Sequence, residues 1–332
     1  MKVSVLIVTY NHAEYIASAI KSVLMQEVSF DYEIVIGEDA STDGTRAIVL
    51  EFEKEYPDKI RALLRDPVDA ETDRAAGVGG KGGFVKGLQA CKGQYVALLD
   101  GDDYWTDPHK LQKQVDFLDS HSDFAICCHN VSMLFEDRSI EPANLFPPDQ
   151  KEISTIEDLF FSNVIPTCSV LFRRGLFAEL PDWFYTMKIG DWPIHILNAQ
   201  HGGIRYFPEA MAVYRVHQGG FWSGWTPVGR GLEVIRMLDH VDAYLGFEYK
   251  KQIRAGKAAW YYRLAETSHI QGDRVNARIF LKKYFSLGGL KIRMEVLSLL
   301  LRMETPALYK RLITLRDFVR SAASNKHYEH LY

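Results

Sequence analysis

The stretch "YVALLDGDDYWTDPHKLQKQ" puts three carboxylates, Asp100, Asp102 and Asp103, within four residues at the end of an apolar run. Like charges this close repel one another, and each loses hydration where a strand runs into a turn. A divalent cation would remove both costs. Oxygen ligands of this kind suit Mg2+ or Mn2+, which take one or two protein carboxylates and leave positions for water and phosphate. A solvated Asp/Gly turn, with Asp107–Pro108 opening the next helix, explains the same residues, so the cluster alone does not choose between the two.

Two more polar groups close apolar runs further upstream. "VSVLIVTY" leads to Thr9, Tyr10 and Asn11, and "YEIVIGED" leads to Glu38 and Asp39. Tyr10 offers a flat face to a nucleobase, Asn11 offers amide donors and acceptors, and Asp39 can accept from a base or ribose. A plain strand-to-helix cap is the structural alternative for Thr9-Tyr10-Asn11, and Asp43–Gly44 reads as a turn and helix start.

The elements that must position these groups alternate. "VSVLIVTY", "YEIVIGED", "IRALLR" and "YVALLD" read as strands. Between them, helical spacing marks Ala13 to Gln26, the stretch after "STDGT", and Phe84 to Cys91. Continuous apolar strands separated by helices predict an α/β fold with a mostly parallel sheet covered on both faces. Ligands of such sheets gather beyond the carboxyl ends of the strands, where all three polar groups lie. From Phe124 to about His217 the runs "FAICCHNVSMLF", "TCSVLFRR" and "AMAVYRVH" suggest antiparallel strands at the sheet edge. After Gly229 the pattern is helical, with a hairpin broken at Gly272–Asp273. The expected division is residues 1–228 as the catalytic α/β domain and 229–332 as a basic, all-helical C-terminal domain.

Bulk properties limit the alternatives. The 332 residues are 47% hydrophobic and 25% charged, enough for one large core or two. No apolar run reaches the length of a membrane span, and "MKVSVLIVTY" reads as a first strand rather than a signal peptide. Four cysteines without CxxC spacing read as reduced core thiols, which points to a cytoplasmic protein. The net charge of −4 conceals an asymmetry: from Arg230 onward 19 Lys and Arg face 10 Asp and Glu, a charge of +9, while the remainder holds 20 against 33, a charge of −13. The basic tail either forms a solvated face on a helical bundle or is drawn to anionic lipid at the inner face of the plasma membrane.

"VSVLIVTYNHAEYIASAIKSVLMQ", "VIGEDASTDGTRAIV", "LDGDDYWTDPHKLQKQV" and "GDWPIHILNAQHGGIRYF" followed by "AVYRVHQGGFWSG" occur in the order found in family-two glycosyltransferases, and the chain resembles that family from Lys2 to Trp225. The resemblance implies a GT-A fold and a metal-dependent, inverting transfer from a nucleotide-sugar, with UDP the family's habit. The acceptor would be a hydroxyl of a glycan or lipid-linked glycan in surface polysaccharide biosynthesis; nucleic acid is not an expected partner. Carried over, Thr9, Tyr10, Asn11, Glu38, Asp39, Lys86, Asp100 and Asp102 fall at donor positions, and Asp102, Asp103 and His217 at metal positions. Glu38 departs from the family's usual Asp. Imidazole suits Mn2+ better than Mg2+.

Asp191 matches the region of the family's general base, which takes the acceptor proton as the hydroxyl attacks. An Asp opening a helix before Pro193 is also an ordinary helix-start residue. Arg215 would neutralise phosphate or sit in a buried ion pair. Trp222 would close over a sugar or pack in the core. Thr167 and Trp192 would line the acceptor side. "GVGGKGG" matches neither a P-loop nor a dinucleotide fingerprint and reads as a loop over the donor. The competing reading is a relative that binds a glycan or nucleotide-sugar without turnover. A phosphatase of the haloacid-dehalogenase kind would need its Asp on the first strand, and a nucleotidyltransferase a basic glycine-rich loop there; neither is present.

Overall fold

The computed structural model describes residues 1–137, 140–217, 219–220, 224–288, 294–307 and 309. The front of the chain alternates as the apolar runs require: β1 (Val3–Thr9), α1 (Ile16–Leu24), β2 (Tyr32–Glu38), α2 (Thr45–Glu55), β3 (Ile60–Leu64), α3 (Pro67–Ala75), α4 (Lys81–Ala90) and β4 (Tyr95–Asp100). Then follow β5 (Tyr104–Trp105), α5 (Lys110–Ser120), β6 (Phe124–Phe135), β7 (Ala143–Asn144), β8 (Ile153–Ser154), α6 (Ile156–Leu159), β9 (Leu171–Arg173), α7 (Asp191–Ala199) and β10 (Gly203–Val216). One ten-stranded sheet holds the strands in the order β3-β2-β1-β4-β9-β6-β10-β5, with β7 on β6 and β8 on β10.

The strands β1 to β4 are parallel. β1 and β2 are buried almost throughout, because helices cover both faces of the sheet. On α1, Ile16, Ala19, Ile20 and Val23 fall at helical spacing and are fully buried. Each isoleucine buried there contributes about 1.5–3 kcal/mol. The second half departs from the expected antiparallel edge. β9 does pair antiparallel with β4 and β6, and β5 with β10. The longest pairing, β6 with β10, is parallel and interrupted by register shifts. "TCSVLFRR" is only partly a strand: Thr167–Ser169 forms a 3-10 turn before β9. α4 begins at Lys81, three residues before the expected start.

The chain separates into two compact units, Met1–Thr226 with Arg236–Tyr249, and Pro227–Ile235 with the chain from Lys250 onward. The helices are α8 (Pro227–Tyr244), α9 (Lys250–Ile270), α10 (Arg274–Ser286) and α11 (Met294–Glu304). The hairpin break falls at Gly272, whose φ of +82° favours glycine, and Asp273 caps α10 by accepting from Asn276 N–H. The second unit has its own core, including Leu264, Phe280, Leu281, Leu299 and Met303. Among the described residues no helix is long and apolar enough to cross a membrane. All four cysteines are free and buried.

Candidate active site

Parallel register brings the three polar groups level. Thr9 pairs with Glu38 across β1–β2, and Val8 with Asp100 across β1–β4. Two backbone bonds extend the alignment past the strand ends: Asp39 N–H donates to Thr9 O at 3.0 Å and Gly101 N–H to Val8 O at 2.8 Å. Gly101 is required by close approach, since a Cβ there would lie 2.6 Å from Thr9 Oγ1 and 2.9 Å from His12 Nδ1. A tight turn, with Asp103 N–H donating to Asp100 O at 3.0 Å, then sends the three carboxylates apart.

Asp102 meets two imidazoles. His217 Nε2 lies 3.0 Å from its Oδ2 and His12 Nε2 lies 3.6 Å from the same oxygen. Burial pushes the Asp102 pKa up, but the hydrogen bond from His217 and the charges of both histidines outweigh it, and the net shift is downward. His217 is raised by Asp102 in return, whereas burial holds His12 below its ordinary value. Asp103 is 2% exposed; its Oδ1 accepts from Arg215 N–H at 2.8 Å, and its Oδ2 has no donor at hydrogen-bonding geometry, although the Cys168 thiol leans on the group. Burial, then Asp102 and Asp100, raise it well above the usual carboxylate range. Asp100 is raised in the same way by burial, Asp102 and Asp191, with Thr167 opposing.

Asp191 stands at the start of α7, where Gly190 occupies the cap position. Its side chain is turned sideways, not back onto the helix: Oδ2 accepts from Asn163 Nδ2 and from Thr167 Oγ1, both at 3.2 Å. Thr167 therefore stands between Asp191 and Asp100. Trp192 is 3% exposed and donates to Leu159 O at 2.9 Å, the packing of a core residue.

The donor-side residues are spread more widely. Tyr10 is 36% exposed with the Arg74 guanidinium 4.7 Å over its ring. Asn11 has φ +53°, and its Oδ1 accepts from Thr42 N–H at 2.9 Å. Asp43 accepts from Ala13 N–H and Thr45 N–H, the structural role expected of it. Glu38 turns into the fold, accepting from Ser41 N–H and Arg46 Nε at 2.6 Å each. Asp39 is 1% exposed and holds Arg65 (2.9 Å), Gly80 N–H (3.1 Å) and Arg74 (3.5 Å). Lys86 is exposed 4.0 Å from Asp69, a solvated helix lysine. The Arg215 guanidinium pairs with Glu136 at 3.5 Å and lies over Tyr15 and Tyr104. Trp222 lies outside the described residues.

Among the described residues no group of three His, Cys, Asp or Glu side chains is arranged to hold a metal ion. What is present is a carboxylate–imidazole pair, Asp102 with His217, which fits a cation that completes its shell with phosphate and water. His12, Arg65, Arg74, Lys81 and Asn163 were not singled out from sequence. For His12, its place directly after Asn11 was the available signal.

Residues 4–180 match Glycosyl transferase family 2. The chain belongs to that family. An uncharacterized protein of Mycobacterium tuberculosis is 35% identical over 282 residues, 81% of this chain and 77% of its own. The putative teichuronic acid biosynthesis glycosyltransferase TuaG of Bacillus subtilis is 32% identical over 243 residues, covering 72% and 89%. Solved structures share the fold. Mannosyltransferase PcManGT from Pyrobaculum calidifontis, in complex with GDP-Man and Mn2+, superposes with a TM-score of 0.54 at 15% identity, covering 99% of this chain and 87% of that one. Staphylococcus aureus TarS 1–349 in complex with UDP-GlcNAc gives 0.51 at 18%, covering 88% and 93%. The glycosyltransferase thus has a GT-A fold, with the four-strand parallel core carrying Thr9, Glu38 and Asp100 in register.

Proposed function

We propose that the enzyme moves a sugar from a nucleotide-sugar, a UDP-sugar in the first instance, to a hydroxyl of a glycan or lipid-linked glycan, with inversion and with a divalent cation. The observation that carries this is the division of the strand-end carboxylates: Asp102 faces His217 and His12, while Asp100 faces Thr167 and, beyond it, Asp191. One side is suited to a leaving diphosphate and the other to an incoming hydroxyl.

Asp102 and His217 would hold the cation, with Asp103 buried beneath them as support. When bound, Mn2+ or Mg2+ supplies charge neutralisation to the departing diphosphate. Tyr10 would give the nucleobase a surface, with the Arg74 guanidinium 4.7 Å from its ring centroid adding positive charge beside it. Asp191 takes the acceptor proton; Asn163 and Thr167 fix its Oδ2 and leave Oδ1 for that task. No second carboxylate nucleophile is needed for a single displacement, which is why inversion is the outcome. The complexes of TarS with UDP-GlcNAc and of PcManGT with GDP-Man and Mn2+ support a nucleotide-sugar donor and a metal. TuaG supports a role in surface polysaccharide synthesis. We carry residues 1–228 as the catalytic domain and 229–332 as a helical domain whose basic surface contacts anionic membrane or acceptor.

The test is a panel of sugar nucleotides with Mn2+ added or withheld, read by nucleoside diphosphate release and transfer. Asp191→Asn should keep donor binding and lower turnover about 100- to 10,000-fold. Asp102→Ala should abolish metal-dependent donor binding. Wild-type turnover in Asp191→Asn removes the base assignment, and no diphosphate release with any donor leaves a binding protein without catalysis.

A further inference from the structure

Lys81 is a buried lysine of the catalytic unit, and the proposed mechanism gives it no role. It opens α4 in the glycine-rich stretch and is 5% exposed. Its Nζ donates to Ile189 O at 2.7 Å and lies 4.1 Å over the Phe184 ring. Ile189 is two residues before Asp191. The residue between them, Gly190, lies against the ammonium: a Cβ there would stand in ordinary contact, 3.6 Å from Lys81 Nζ.

The residue on the other side of Lys81 is equally constrained. Gly80 N–H donates to Asp39 Oδ2 at 3.1 Å, from a left-handed conformation with φ +78°. Gly82 packs so closely on the Arg65 guanidinium that a Cβ would fall 2.4 Å from its Cζ, and Arg65 in turn holds Asp39. Two hydrogen bonds therefore join Asp39, at the end of β2, to the turn that carries Asp191. They are made by adjacent residues, Gly80 and Lys81.

We propose that Lys81 is a positioning residue, a buried strut that transmits the state of the segment beside Asp39 to the turn that aims Asp191. Its consequence rests on the reading of Asp191 as the base: a nucleotide engaging the Tyr10–Asp39 side would act through Lys81 on the turn that carries the base. A flexible polar surface lysine could not do this. A buried ammonium can, because moving it away from a carbonyl in low dielectric is costly.

Amide hydrogen exchange on the full chain, without ligand, tests the coupling directly. Lys81→Met should speed exchange across 187–199 about 10-fold while 3–9 in β1 stays as in wild type. Lys81→Arg, which keeps the donor and the charge, should restore protection to within about 3-fold. Asp39→Asn should speed exchange in 187–199 in the wild-type background and have less than about a 2-fold effect there in Lys81→Met. In turnover, Lys81→Met should lower kcat and leave donor KM within about 3-fold. Unchanged exchange at 187–199 in Lys81→Met, or an equal Asp39→Asn effect in both backgrounds, overturns the proposal. So does a folded Asp39→Asn protein whose 187–199 segment is unaltered, which needs no Lys81 variant at all. Wild-type turnover by Asp191→Asn would remove the base while leaving the exchange coupling intact, so the two failures are distinguishable.

Discussion

Lys110 is fully buried under the site, and replacing it gives a stability change whose pH dependence can be worked out in advance. Its Nζ donates to Gln114 Oε1 at 2.9 Å and lies 3.9 Å over the Trp105 ring. Gln114 Nε2 donates to Ser169 O at 2.9 Å, and Trp105 Nε1 to Cys168 O at 2.8 Å, so this polar seam holds the turn that presents Thr167. Burial lowers the Lys110 pKa from 10.5 to about 7. Between those values the unfolded chain binds the proton and the folded chain does not, so stability rises with pH. At about 1.36 kcal/mol per unit, the full difference is about 5 kcal/mol, and the part between pH 7.5 and 9.5 is about 2.5 kcal/mol. The neighbouring groups do not titrate in that window: burial holds Cys127 and Cys168 well above the usual thiol range and His129 well below the imidazole range.

Lys110→Met keeps the stem and removes the ionisation. The absolute gap between the two proteins mixes relief of the buried charge with the loss of a partner for Gln114, about 1–3 kcal/mol in the other direction. The slope of the gap does not mix them. Urea unfolding at half-unit steps should show wild type gaining about 2.5 kcal/mol on Lys110→Met from pH 7.5 to 9.5. A gap that stays constant over those two units would refute a depressed Lys110.

Three other outcomes are expected from contacts in the structure. Arg46→Met strips the cation from Glu38, which is 0% exposed, and should cost about 3 kcal/mol in urea unfolding, with Arg46→Met/Glu38→Gln recovering part of it; a cost under about 1 kcal/mol contradicts the pairing. Gly93→Ala would put a Cβ 2.3 Å from Ser4 N and 2.7 Å from Tyr95 O, both backbone, and should destabilise by about 1–3 kcal/mol, visible as a lower Tm. Thr167→Val removes one of the two donors to Asp191 Oδ2, worth about 1–1.5 kcal/mol, and should lower kcat about 10-fold while donor binding holds; unchanged kcat would detach Thr167 from the base.

The parallel core was legible because its strands are short apolar runs with polar residues at one end, and parallel pairing must bring such ends together. The β6–β10 pairing was not. β10 is 14 residues long, half-exposed and broken by register shifts, so neither alternation nor a turn signal betrays its partner or its direction. α3 went unread because its sequence, "PVDAETDRA", has Ala70 as its buried residue and no apolar stripe. Within the site, the carboxylates and Asp191 could be picked out from residue type and motif. Their neighbours could not: Lys81 and Ile189 are 108 residues apart in sequence, and a lysine in a helix is ordinarily a surface residue. Lys86, chosen as the donor lysine, is such a surface residue, while Lys81 and Lys110 are buried.

The three aspartates also differ in what surrounds them, and this bears on how a diphosphate site can be both acidic and ready for an anion. Were all three aimed at one point, the site would repel a sugar nucleotide until a cation arrived. Gly101 permits the tight turn that prevents this. Asp103 is spent on the Arg215 amide, which anchors the end of β10 just before His217. Asp100 is turned toward Thr167 and Asp191. Asp102 alone of the three meets imidazoles among the described residues, His217 and His12. Arg74, over Tyr10, adds positive charge where the nucleotide would lie, although Asp39 balances part of it. The cluster is thereby divided, with one carboxylate on the histidines, one holding β10 in place and one beside Thr167; the proposed mechanism assigns the first to the leaving group and the last to the acceptor side. Exchanging Asp102 and Asp103 by substitution is not a conservative change, because the two occupy opposite sides of the turn.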